Sequence, residues 1–239
     1  AGSTAPITLP GTLVVQNAEI LAGIVLCQLI REGAPVVYAS GSSAMDMRTG
    51  SLRVGAPELA MNSMSTAQLG RFYGIPSRGC GALTDSVCIT EQAGYESMMN
   101  LLTAHSAGIH FILHAAGALD TINCMSYEKF VLDDDLIGMV KHINGGVTVD
   151  ETTLALDVIR ETGPRGYFLT KAHTLQNCRR SLFKPQIRPQ RPDVQFRETE
   201  AASHIDKATR RWKTMLENYQ RPDFPESIDR DIQDWMERL

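Results

Sequence analysis

Several absences bound this chain before any motif is read. The 23 Lys and Arg are outnumbered by 27 Asp and Glu, so the net charge of −4 leaves no electrostatic footprint for nucleic acid. Aromatic residues make up only 6%, and there are five Cys, an odd number with no CxxC pair. That excludes a disulfide-framed secreted scaffold and points to reduced thiols in a cytoplasmic protein. The longest strongly apolar run, Ile20 to Ile30, contains Cys27 and Gln28 and is short for a bilayer span, so no membrane partner is expected. No basic-then-apolar leader opens the sequence. No GxGxxG follows a strand, which weakens a dinucleotide-binding reading.

What is present is a cadence. An apolar helix, a short β-rich run and a Gly/Ser-rich loop recur about three times, the pattern of α/β folds whose sites form on the loops after the strands. The spacing predicts helices over Thr12 to Glu32, Pro57 to Tyr73, Glu91 to Ala107 and Ser126 to Ile143, with a further one from Glu151 to Thr162 capped by Asp150. Strands are expected at Pro35 to Ser40, Ile75 to Cys80 and Ile109 to His114. The loop Gly41 to Gly55 follows the first of them. From Gly163 the apolar runs give way to Arg, Pro, Gln and Glu, densest from Lys184 to Pro192. Two amphipathic helices, Ala201 to Tyr219 and Ser227 to Leu239, should then pack on the parent domain.

A full β/α barrel takes about 250 residues, or near 30 per unit. Three strands at comparable spacing, in a chain whose first residues read as the middle of a loop, suggest the last strands of such a barrel. The expected fold is therefore α/β: the C-terminal half of a (β/α)8 TIM barrel over residues 1–163, with residues 164–239 as an extended linker and helical tail. Unpaired outer strands would make a homo-oligomer.

Chemistry should lie where strands end. By two-residue alternation His110, Ile112 and His114 share one face, and His114 stands at the C-terminal end where barrel sites form. A strand histidine is otherwise a satisfied core residue, which is the blander account of His110. Tyr38 ends the first strand, and Asp85, Gln92 and Tyr95 line the loop and helix start after the second. Acid at a helix start is otherwise only a cap. Arg78, Gly79 and Gly81 could hold a phosphate, as in a phosphate-binding barrel lyase or isomerase. Cys80, Cys88 and His114 could hold a metal, although their spacing matches no standard zinc pattern.

The segments Gly2-Ser3-Thr4-Ala5-Pro6-Ile7-Thr8-Leu9, Pro76-Ser77-Arg78-Gly79 and Gln92-Ala93-Gly94-Tyr95-Glu96-Ser97, with the tail around Trp212-Lys213, resemble the trimethylamine and glycine betaine methyltransferase superfamily. The resemblance runs the length of the chain and corresponds to the C-terminal half of that family's β/α barrel. It implies methyl transfer from a methylated amine to cobalt(I) of a separate corrinoid protein, so the cobalamin would be carried by a partner. One branch uses pyrrolysine. Only the standard twenty letters occur here, which implies the other branch, acting on quaternary amines such as glycine betaine. On that reading His114 and Asp85 are the candidate catalytic residues, and Tyr95, Gln92, Tyr38 and His110 the substrate-binding ones. A quaternary ammonium would sit on π faces worth about 0.5–2 kcal/mol each, with Tyr38, Tyr95 and Phe111 as candidates. A catalytically silent fragment that serves as an interaction module is the remaining alternative.

Overall fold

The computed structural model describes residues 1–187, 199–220, 222–223 and 225–238. The chain begins with helix α1 (Leu9–Ile30), entered through Pro10 in its first turn. Strand β1 (Tyr38–Ala39) follows, then the short strands β2 (Ala44–Met45) and β3 (Leu52–Arg53), which pair as an antiparallel hairpin. Its tip is turned by Asp46, whose Oδ1 accepts from the Arg48 and Thr49 amides at 2.8 and 3.3 Å. Helix α2 (Pro57–Tyr73) starts on Pro57 and Glu58 and stops at Gly74, which is left-handed at φ 66°. Strand β4 (Ser77–Cys80), helix α3 (Glu91–Ser106) and strand β5 (Phe111–Leu113) complete the cadence. A second antiparallel hairpin follows, formed by β6 (Ala118–Leu119) and β7 (Cys124–Met125). Helix α4 (Tyr127–Asn144) is capped by the Ser126 hydroxyl, which accepts from the Lys129 amide.

β1, β4 and β5 form one parallel sheet in the order β1-β4-β5, with Tyr38 opposite Ser77, Arg78 opposite Phe111 and Cys80 opposite Leu113. Parallel neighbours joined by helices are the βαβ arrangement that the cadence predicts. The mixed α/β class is therefore present. β1 and β5 are the edges of this three-stranded sheet.

One face of the sheet is covered and the other is not. Tyr38, fully buried, stacks on Tyr73 of α2 and donates its hydroxyl to Asn17 of α1 at 2.9 Å. Ile112 joins the cluster of Ala67, Ala104 and Ile109 between α2 and α3. On the opposite face Ala39 and Phe111 are exposed and Arg78 is partly so. At the C-terminal end of the strands a second cluster, Val54, Leu59, Cys80, Leu83 and Ala118, closes under the loops.

α1 inverts the expected amphipathic order. Its buried residues are Thr12 and Gln16, whereas Val14, Val25, Leu26, Leu29 and Ile30 are exposed. The polar side is the bonded one: Gln16 donates to Thr66 and accepts from Ser40, and Asn17 donates to Tyr73. At 22 residues with a mean hydropathy of 1.8 over its most apolar window, α1 is long and apolar enough to cross a membrane by length and composition alone. The run Ile20 to Ile30 understated it because the helix reaches back to Leu9.

Beyond α4 the expected helix 151–162 is broken in two, α5 (Glu151–Leu154) and α6 (Leu156–Thr162), because Ala155 turns left-handed at φ 50°. A short α7 (Ala172–Asn177) was not evident in the sequence. Residues 188–192 of the expected Pro-rich stretch lie outside the described residues. Helix α8 (Thr199–Glu217) packs on α4 through Ala208 and Trp212, with Val131 and Ile187. Two carboxylates of α4 hold this tail. Asp135 accepts from the Gln186 and Ile187 amides at 2.7 and 2.8 Å, and Glu128 from Trp212 Nε1 at 2.8 Å. Helix α9 (Glu226–Met236) buries none of its residues, contrary to the expected packing on the parent domain.

Candidate functional site

The register decides which strand residues meet. Side chains registered across a parallel pair point to the same face, so Ala39, Arg78 and Phe111 form one row on the uncovered face. Tyr38, Ser77, His110 and Ile112 belong to the face that carries the helices. His110 and Ile112 share one face as expected, but it is the face that the helices cover. Alternation defines two rows along a strand, but only the neighbouring helices reveal which row they cover.

His114 follows β5 at the C-terminal end of the sheet. It is one of few non-glycine residues at positive φ, 52°. Its Nδ1 is buried and has no hydrogen-bond partner among the described residues. Burial and the nearby positive Arg78 both push its pKa below the usual histidine value, so the ring is neutral at pH 7. Arg78 donates from Nη1 to the Ser40 carbonyl at 3.2 Å. Among the described residues no carboxylate pairs with it. The same charge partly opposes the burial that pushes the Cys80 thiol up. The charge of Arg78 is felt by the neutral imidazole of His114 across the strand ends, and a guanidinium with open donors there is suited to a carboxylate.

The remaining candidates separate into four places. Asp85 and Gln92 belong to a polar network on the loop after β4. Both oxygens of Asp85 are taken, Oδ1 by the Val54 amide at 2.7 Å and Oδ2 by Arg53 Nε at 2.9 Å. Gln92 donates to Glu96, which lies 5% exposed and accepts from the Thr84 hydroxyl at 2.6 Å and the Asp85 amide at 2.9 Å. Tyr95 is 64% exposed on α3. Tyr38 is buried between α1 and α2, and His110 sits at the opposite end of β5 from His114, with Nδ1 3.2 Å from the Ser77 amide. Of the three aromatic candidates for a cation, only Phe111 lies on the uncovered face.

Two alternatives lose their footing in the geometry. A Cβ at Gly81 would stand 2.7 Å from Ala115 Cα, and one at Gly79 would press on Ile109 and Ser63, so both glycines serve close packing. Cys80 is buried while Cys88 is exposed, and no cluster of three or more potential metal ligands occurs among the described residues. Grooves of about 430 Å³ beside Ser42 and Glu58, and of about 300 Å³ between α3 and α4, include neither Arg78 nor His114. Arg78 lies on the uncovered face of the sheet.

The whole chain, residues 1–239, matches the family profile described as trimethylamine methyltransferase (MTTB). The chain belongs to this trimethylamine methyltransferase family. It is 47% identical over 236 residues to the glycine betaine methyltransferase of Desulfitobacterium hafniense, covering 98% of this chain and 48% of that relative. It is 35% identical over 232 residues to a trimethylamine methyltransferase MttB of Desulfitobacterium hafniense, covering 95% and 46%. A proline betaine:corrinoid methyltransferase of Eubacterium limosum is 41% identical over 169 residues, 70% of this chain and 35% of that protein. The chain thus spans about half the length, or less, of these curated relatives. Sequence reasoning named His114 but passed over Arg78 except as a phosphate ligand, and missed Glu96. The available signal was an arginine inside a strand, which is costly unless it meets an anion.

Proposed function

We propose that this chain is the C-terminal half of a β/α-barrel methyltransferase that takes a methyl group from a carboxylated quaternary amine, such as glycine betaine. Membership of the family and the names of its relatives support methyl transfer. The observation that carries the substrate class is Arg78, on the uncovered face with no carboxylate partner among the described residues and its charge felt at His114, because trimethylamine has no carboxylate to bind. Residues 1–163 form the barrel part in this reading, and 164–239 the extension. The active protein is cytoplasmic and assembles as a homo-oligomer.

The second substrate is a cobalt(I) corrinoid carried by a partner protein, which supplies the nucleophile. The C–N bond breaks with its electron pair remaining on nitrogen, so a neutral tertiary amine leaves and no proton is needed. Arg78 and His114 then have one task. They hold the carboxylate so that the ammonium projects beyond the strand ends with one C–N bond aimed outward. Orientation of this kind supplies a large part of the rate in a bimolecular displacement. The neutral ring of His114 donates a hydrogen bond without adding a second positive charge beside the substrate cation.

The test uses the full-length protein, cobalt(I) cobalamin or the corrinoid protein, and four methyl donors: glycine betaine, proline betaine, choline and trimethylamine. Carboxylated donors should react and choline, equally quaternary, should not. Arg78→Met should weaken use of the carboxylated donors roughly tenfold to a hundredfold, the scale of a lost hydrogen bond between charged groups. Choline or trimethylamine reacting as well as the betaines would overturn the carboxylate assignment.

A further inference from the structure

We propose that Asp85 is a positioning residue that buckles together the two hairpins flanking the Arg78–His114 site, and is not a proton carrier. Its bearing on methyl transfer rests on the function proposed above; the buckle itself does not. Asp85 lies in the loop between β4 and α3. Its carboxylate reaches in both directions: to Val54 N and Arg53 Nε at the end of the β2–β3 hairpin, and to the Thr121 hydroxyl at 3.3 Å at the tip of the β6–β7 hairpin. The segments that follow all three sheet strands therefore meet at one carboxylate.

Two further observations support this. The β6–β7 tip is left-handed at three successive non-glycine residues, Asp120, Thr121 and Ile122, with φ of 49°, 54° and 76°. Such backbone persists only where its surroundings over-determine it. Here the holders all come from the Asp85 loop: the Asp120 amide bonds Ser86 O at 2.8 Å and the Thr121 amide bonds Thr84 O at 3.1 Å. Beneath lies Glu96, which fixes the Asp85 amide and contacts the Gly55 position so closely that a Cβ there would collide with its carboxylate. Three donors converge on Asp85, and an acceptor-only carboxylate satisfies them, whereas a protonated one would oppose a donor to a donor. The β6–β7 hairpin begins four residues after His114, so releasing its tip frees the strained backbone that holds the imidazole.

The experiment compares full-length wild type, Asp85→Asn, Thr121→Val and the double variant by amide hydrogen exchange and by methyl-transfer kinetics. Asp85→Asn should speed exchange in both hairpins, leave α2 and β4 protected, and raise KM for the amine roughly tenfold with a smaller change in kcat, the scale of a lost charged hydrogen bond. Thr121→Val should loosen the β6–β7 hairpin alone, and the double variant should add little to Asp85→Asn. Wild-type exchange in both hairpins would overturn the proposal. So would a fall in kcat at unchanged KM with one limb of the pH profile lost. Should Asp85→Asn not fold, Arg53→Met and Thr121→Val probe the same contacts singly. Absence of methyl transfer from any amine would sink the proposed function, while the exchange comparison would still decide the buckle.

Discussion

Replacing Lys129 by Met should be among the most damaging single changes to stability away from the site. Lys129 and Asp133 stand one turn apart on α4, each side chain 3% exposed, with Nζ 2.5 Å from Oδ2. The ammonium also donates to Ala82 O at 3.1 Å and Ser97 Oγ at 2.9 Å, so it ties α4 to α3 and to the loop after β4. Removing one member of a buried pair leaves the other charge uncompensated, at a cost of about 3–5 kcal/mol. The Gly117 amide still reaches Asp133 at 2.8 Å, which places the loss at the lower end. Burial already pushes the Asp133 carboxyl above its ordinary 3.8, against the pull of Lys129, and without the lysine it rises further. The folded variant then binds a proton that the unfolded chain releases, so its stability falls as pH rises above 3.8. The deficit should accordingly be smaller at pH 5 than at pH 8. Urea unfolding followed by the fluorescence of Trp212 and Trp235 measures it. With a slope of about 2–3 kcal/mol per M, the midpoint should drop by roughly 1 M or more. The pair Lys129→Met with Asp133→Leu should recover much of the loss, since apolar replacements of a buried ion pair cost little. A single-variant loss below about 1 kcal/mol, or a double variant no better than the single, would refute the reasoning.

Two further outcomes follow from other parts of the molecule. Gly81→Ala should destabilise by about 1–3 kcal/mol, the usual cost of overpacking, because Ala115 Cα stands 2.7 Å from the new Cβ; thermal unfolding would show it, and an unchanged melting temperature would contradict it. Glu128 is held below its usual pKa chiefly by Trp212 Nε1, so the grip on α8 is present above the unfolded value of 4.5 and fades as pH falls below it. Trp212 emission should shift to the red over that acid range in wild type, and a Glu128→Gln variant should lack the transition.

The fold was legible where the chain is punctuated. α2 runs from Pro57 to Tyr73 as the proline and Gly74 dictate. α3 and α4 end within a residue of their expected limits. The strands were overestimated, since Pro35 to Ser40 yields only Tyr38 and Ala39 in pairing, a stretch where β propensity outran the available partner. The hairpins in the loops after β1 and β5 were not foreseen, because neither tip carries an Asn-Gly or Asp-Gly pair. The site was half legible. His114 could be placed by its position at a strand end, but its neighbour Arg78 depends on register, and register is set by packing that no single strand encodes. Burial and exposure on α1 could not be read from its sequence either. Two of its polar residues, Gln16 and Asn17, are the ones that find partners on α2 and β1.

The contact between Gly81 and Ala115 has a consequence for redesign. The two backbones touch where β4 and β5 end, and Gly81 N also donates to Leu113 O at 2.8 Å. No side chain can be introduced at residue 81 without parting the strands, so this point is closed to redesign. Variation has room at the exposed tip of the β2–β3 hairpin, residues 47–49, and not at the strained 120–122 tip that the Asp85 loop holds. A library of variants should spend its diversity there and leave the weld untouched.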